Sequence, residues 1–154
     1  MRIPAPNLWP AARTGQRWLL RARRKEALVD GHRLVFLERG RPTPGKPTLV
    51  LIHGFAAMKE NWALWMQMLP ADWHLLVPDV PGLGESQYRP DACYRYDSQA
   101  RRLGQWLSGY ATDNLHIAGS SMGGAIASVM AHTLDRPPRT VTLLNSAGIP
   151  EQPD

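Results

Sequence analysis

Ile117-Ala118-Gly119-Ser120-Ser121-Met122-Gly123-Gly124-Ala125 is the stretch that decides the fold. Leu115 to Ala118 read as a short strand that runs into Gly119-x-Ser121-x-Gly123, and a helical pattern follows at once. Strand, tight turn and helix in succession are the context that a nucleophile elbow requires. The turn is so sharp that the residues two before and two after the serine crowd each other, and glycine relieves that crowding. The serine oxygen then stands at the end of a sheet. The Met122 N–H points the same way from a helix N-terminus. Ser120 is out of frame for the pattern, so Ser121 is the candidate nucleophile.

A bare Gly-x-Ser-x-Gly also occurs in ordinary turns that open helices, so the flanking chain has to carry the reading. Upstream, Glu26 to Val29 and His32 to Glu38 flank Asp30-Gly31 and predict a β-hairpin. Thr48 to His53 is a continuous apolar run, as expected of a central strand covered on both faces. His53-Gly54-Phe55 follows it directly. A loop at that place can offer the Phe55 N–H to a developing oxyanion, beside the N–H of Met122. His53 reads as a brace for this loop rather than as a catalytic base.

Lys59 to Leu69 carries Trp62, Trp65, Met66 and Leu69 at helical spacing and predicts a packing helix with its tryptophans in the core. Trp73 to Val77 predicts a buried strand, ending at Asp79-Val80-Pro81-Gly82-Leu83-Gly84-Glu85-Ser86, a turn-rich loop. An Asp in that position satisfies loop N–H groups more often than it serves as a catalytic acid. A helix capped by Asp97 or Ser98 is expected to reach Ser108, with Ala100, Leu103 and Leu107 inward. After the elbow, Met122, Ala125, Ile126, Val129 and Met130 form the inward stripe of another helix, and Thr140 to Leu144 reads as one more strand. Strands alternating with helices imply crossover connections and a mostly parallel sheet.

The chain has 154 residues, enough for one domain with a real core. Its net charge of +5 is uneven. Residues 1–25 hold Arg2, Arg13, Arg17, Arg21, Arg23, Arg24 and Lys25 without an acid, whereas the remainder is slightly acidic. The basicity therefore belongs to an N-terminal arm, residues 1–25, and not to the domain over 26–154. That argues against nucleic acid as a partner. A helix is predicted over 11–25. With Leu8, Trp9 and the arginine stripe, residues 8–25 suit peripheral contact with an anionic membrane surface. The competing reading is an extension packed on the domain through Trp18 and Leu20. The lone Cys93 excludes an internal disulfide and is compatible with a reducing compartment. No apolar run reaches the ~18 residues of a membrane span. The expected location is the cytoplasm, at the membrane periphery if the arm docks there.

Taken in order, His53-Gly54-Phe55, Asp79 to Ser86, and Gly119-Ser120-Ser121-Met122-Gly123-Gly124 resemble the N-terminal half of an α/β-hydrolase-fold serine hydrolase. It resembles the bacterial lipase and monoacylglycerol-lipase-like branch in particular, and the resemblance runs from about Val29 to Ile149. It implies a truncated α/β-hydrolase fold with an N-terminal hairpin and flanking helices, lacking the lid and the late strands. It also implies Ser121 as nucleophile and the Phe55 and Met122 N–H groups as oxyanion hole. The substrate would be a small-molecule carboxylic ester, lipid or otherwise apolar, with no metal or organic cofactor.

In this family an acid and then a histidine follow the serine. Here only His132, Asp135, Glu151 and Asp154 come after Ser121. The expectation is that the chain alone is nearly inactive, and that Thr140 to Leu144 forms an exposed edge through which copies self-associate. Two other readings compete with ester hydrolysis: a non-catalytic remnant that binds a membrane surface or a partner, and a carbon–carbon bond hydrolase with the same serine elbow.

Overall fold

The computed structural model describes residues 19–110 and 113–148. Six strands form one sheet: β1 (Arg23–Val29), β2 (His32–Arg39), β3 (Thr48–Ile52), β4 (His74–Pro78), β5 (Leu115–Ser120) and β6 (Thr140–Leu144). Their order is β1-β2-β4-β3-β5-β6. The β1–β2 hairpin is antiparallel and joins β4 antiparallel, whereas β4, β3, β5 and β6 run parallel. The hairpin turn is the one that Asp30-Gly31 predicts. Both residues adopt positive φ, and Val29 faces His32 across the closing pair.

Among the described residues three α-helices accompany the sheet: α1 (Ala63–Met68), α2 (Tyr96–Leu107) and α3 (Met122–Thr133). A 3₁₀ turn, Lys59–Trp62, leads into α1. The sheet is covered on both faces, which explains why its central strands are apolar throughout. Because side chains alternate across a strand, β3 sends Val50 and Ile52 to one side and Leu49 and Leu51 to the other. The first side packs under α2 and α3 through Leu103, Trp106, Ile126 and Met130. The second packs under the 3₁₀ turn and α1 through Trp62 and Met66, joined by Leu20 and Ala22.

Two local expectations change. The helix predicted over 11–25 does not extend to Lys25. Arg23, Arg24 and Lys25 are already in β1, paired with Glu38, Leu37 and Phe36. The cause is burial: Leu20 and Ala22 drop into the core under α1, and β2 offers β1 a ladder that a solvated helix turn cannot match. Residues 11–18 of that predicted helix, Trp18 among them, lie outside the described residues. The second change concerns α2, which begins at Tyr96 with Arg95 as its N-cap and no capping side chain. Asp97 instead accepts a hydrogen bond from the adjacent Ser98 N–H at 2.8 Å.

β6 forms one border of the sheet, paired only through β5. Thr140, Thr142 and Leu143 are exposed there, with Leu143 at 40%.

Candidate active site

Ser121 connects β5 to α3 with φ 51° and ψ −118°, a conformation strained for any residue with a Cβ. The surrounding glycines are what permit it. A Cβ on Gly119 would overlap the backbone of Gly123, and a Cβ on Gly123 would overlap the carbonyl oxygens of Ile52 and His53. The elbow is therefore pressed against the end of β3. Its backbone is held on the other side as well. Ser121 N–H donates to Leu144 O at 2.9 Å, and Ala147 N–H donates to Ser121 O at 3.0 Å.

Strain is held here so that the Ser121 side chain stays exposed at the mouth of a cleft of about 480 Å³. His53, Gly54, Phe55, Trp62, Trp65 and Leu144 line this cleft with it. Gly54 lies so close that a Cβ there would stand 3.2 Å from the Ser121 Cβ. Among the described residues, neither Phe55 N–H nor Met122 N–H donates a hydrogen bond, and the Ser121 hydroxyl has no partner. Two free backbone donors beside a free hydroxyl, one of them at the first turn of α3, suit an oxygen that gains negative charge.

His53 is not positioned as a base. Its side chain is 1% exposed. Its Nε2 accepts a hydrogen bond from Val80 N–H at 3.0 Å, which leaves the proton on Nδ1, 2.8 Å from Gly54 O. Burial pushes this imidazole below its ordinary 6.5. Both nitrogens are spent on fixing the loop, the bracing role expected from sequence. Asp79 is likewise committed. Its Oδ1 accepts from Lys59 N–H at 2.7 Å, and its Oδ2 accepts from Glu85 N–H at 2.8 Å and from Lys59 Nζ at 2.7 Å.

Lys59 is the residue that sequence reading passed over. Its side chain is fully buried and its Nζ also meets Glu85 at 2.5 Å. Burial works against ionisation of Glu85, but Lys59 and Arg24 outweigh it and hold this carboxyl at about 2. The signal was available, since Lys59 falls on the same stripe as Trp62 and Met66. A lysine on a buried stripe demands a carboxylate.

The tryptophans also divide differently from the expectation. Trp62 is core at 4% exposure, but Trp65 is 49% exposed and lines the cleft. The element starts as a 3₁₀ turn and continues for only six helical residues, so its buried face is too narrow for both rings. The remaining histidines are occupied or remote. His74 bonds Glu38 and Thr48, His116 bonds Thr140 and Asn114, and His32 bonds Tyr94. His132 is exposed in the last turn of α3.

Residues 47–154 match the model of the alpha/beta hydrolase fold family. The chain belongs to that family. Among its relatives is Lipase 1 of Psychrobacter immobilis, 37% identical over 122 residues, which cover 79% of this chain and 38% of that protein. Monoacylglycerol lipase abhd6-B of Xenopus laevis is 29% identical over 149 residues, covering 92% and 44%. A solved structure of a bacterial membrane phospholipase A superposes with a TM-score of 0.86 at 33% identity, over 96% of this chain and 47% of that one. The chain thus spans less than half the length of each of these relatives. Among the described residues, no helix is long and apolar enough to cross a membrane.

Proposed function

We propose that this chain carries the nucleophile half of a serine ester hydrolase, with Ser121 as nucleophile and the N–H groups of Phe55 and Met122 as oxyanion hole. The observation that carries the reading is the strained Ser121 backbone, held between Gly54 and Leu144 so that its hydroxyl faces the cleft beside two unpaired donors. In the reaction, Ser121 Oγ attacks the acyl carbonyl of an ester. The two N–H groups hold the resulting oxyanion, the alcohol departs, and water then releases the acid from the acyl-enzyme. Phe55, Trp65 and Leu144 give the cleft an apolar wall, which favours an acyl chain. The lipase and phospholipase names of the relatives favour a lipid or other apolar ester as well.

The catalytic acid and base are not supplied by His53 or Asp79, whose polar atoms are engaged in the loops. The 154-residue chain on its own is expected to turn over esters barely at all. Attachment to a membrane surface through the 8–25 stretch stays part of the proposal for its residues before Leu20, since Leu20 and Ala22 are buried and Arg23 to Lys25 are paired in β1.

The test begins with the intact mass of the protein as its own cell makes it, followed by hydrolysis of a p-nitrophenyl acyl ester by that form. Ser121→Ala should lower kcat by a factor on the order of 10⁴ to 10⁶. Turnover that survives this change sinks the assignment.

A further inference from the structure

The buried ammonium of Lys59 takes no part in the chemistry above, yet it meets the carboxylates of both Asp79 and Glu85. Its location suggests a purpose. The loop that carries Phe55 leaves β3 at His53 and returns to regular structure at Lys59. The two ends of that loop are fastened to adjacent residues after β4, one to Val80 and the other to Asp79. At the near end, His53 Nε2 takes the Val80 N–H at 3.0 Å. At the far end, Asp79 receives both the backbone N–H and the Nζ of Lys59, each at 2.7 Å. Between these fastenings the bonds stay local: Met58 N–H donates to Asn61 Oδ1 at 2.9 Å, inside the same segment. Ala57 N–H reaches Gly54 O at a long 3.3 Å, and Ala56 sits at φ 55°. Phe55 itself is 76% exposed, so packing does not fix it.

Asp79 is in turn enclosed. Glu85 N–H binds its Oδ2, and a Cβ on Gly84 would collide with its carboxyl group, so the 82–86 turn closes around it. Asp79 O also accepts from Ser86 Oγ at 2.8 Å. The carboxylate is therefore a fixed post, and Lys59 is what ties the loop to it.

We propose that Lys59 is a positioning residue for the oxyanion hole: through its buried pair with Asp79 it holds the loop at 54–58 so that Phe55 N–H stays aimed at the reacting carbonyl beside Ser121. This rests on the ester-hydrolase reading of the cleft. Lys59 touches no substrate. It acts by removing freedom from a donor that must be in place before charge develops, because a donor that has to reorganise during the reaction stabilises the oxyanion less.

The test uses the 154-residue chain and hexanoate, a carboxylate that mimics the released acid and can place one oxygen in the oxyanion hole. Backbone amide resonances of Phe55 and Met122 are followed by NMR during the titration. In the unsubstituted chain both should move. In Lys59→Met the Phe55 displacement at saturation should fall by more than half while that of Met122 persists, and Lys59→Arg should restore it. Met122 also reports that the elbow is still folded. Should Lys59→Met fail to fold, Lys59→Gln removes the charge and keeps a donor, with the same readings expected. An undiminished Phe55 response in the Met or Gln variant overturns the role of Lys59 and leaves the hydrolase reading intact. No response of either amide in the unsubstituted chain removes the oxyanion hole itself, and the role of Lys59 with it.

Discussion

The bare Cα of Gly123 faces the carbonyl oxygen of Ile52 so closely that no side chain fits between them. This is how the first turn of α3 reaches the end of β3 and lays the elbow across it. Gly123→Ala should therefore destabilise the domain by about 3 kcal/mol or more, because the carbonyl oxygens of Ile52 and His53 are backbone and cannot swing aside. The urea midpoint of the variant against the parent checks this. An unchanged midpoint would mean that the elbow is looser than described.

Acid should weaken the fold in two windows. The folded chain keeps His53 and His74 below their ordinary 6.5, chiefly by burial, so the unfolded chain binds protons first as pH falls through 6.5. Their stabilising contribution is present above that value and is lost below it, with a slope of at most about 1.4 kcal/mol per pH unit for each histidine. Glu85 acts lower. Its carboxyl is held at about 2 against an ordinary 4.5, so its contribution is present above 4.5 and disappears as pH falls toward 2. Chemical denaturation at a series of pH values should show both steps, and His53→Gln should flatten the upper one.

The start of the domain can be located by truncation. Removing residues 1–25 takes away Leu20, Ala22 and the first three residues of β1, whereas removing 1–18 spares them. The longer deletion should melt several degrees below the shorter one, since two buried side chains and part of a strand ladder are gone. Equal melting temperatures would place the boundary at residue 25 after all. The shorter deletion is also the one to use in vesicle sedimentation, because it tests the arm without disturbing β1.

The β6 border should make the isolated chain self-associate. Its outer backbone groups are unpaired within the sheet, and Leu143 is 40% exposed beside them. A charge on such an edge disfavours strand addition. Sedimentation velocity should show dimers or larger species for the parent and a shift to monomer for Leu143→Lys. A parent that stays monomeric at high concentration removes this expectation.

Much of this architecture could be read from the chain because the deciding signals are local. Asp30-Gly31 fixes a hairpin turn through two consecutive positive φ values. Gly119-x-Ser121-x-Gly123 fixes a strand–turn–helix junction through sterics that act within five residues. What escaped was set by contacts distant in sequence. Arg23 to Lys25 look helical until β2 is alongside to pair with them. Trp65 sits on a helical stripe, but only the geometry of a six-residue helix shows that the ring faces the cleft. The partnership of Lys59 with Asp79 and Glu85 spans 20 and 26 residues, and no short motif announces it.

The arginines at the start of the domain have a directional meaning. Arg21, Arg23 and Arg41 gather around one groove with Gly40 and Tyr110, near the end of the sheet where β4 begins. Ser121 stands where β5 ends, and β4 and β5 run the same way. A bilayer gripped by the basic groove would thus have the serine looking away from it. A chain moored in that manner would present the Ser121 cleft to the aqueous side rather than to the leaflet that holds it.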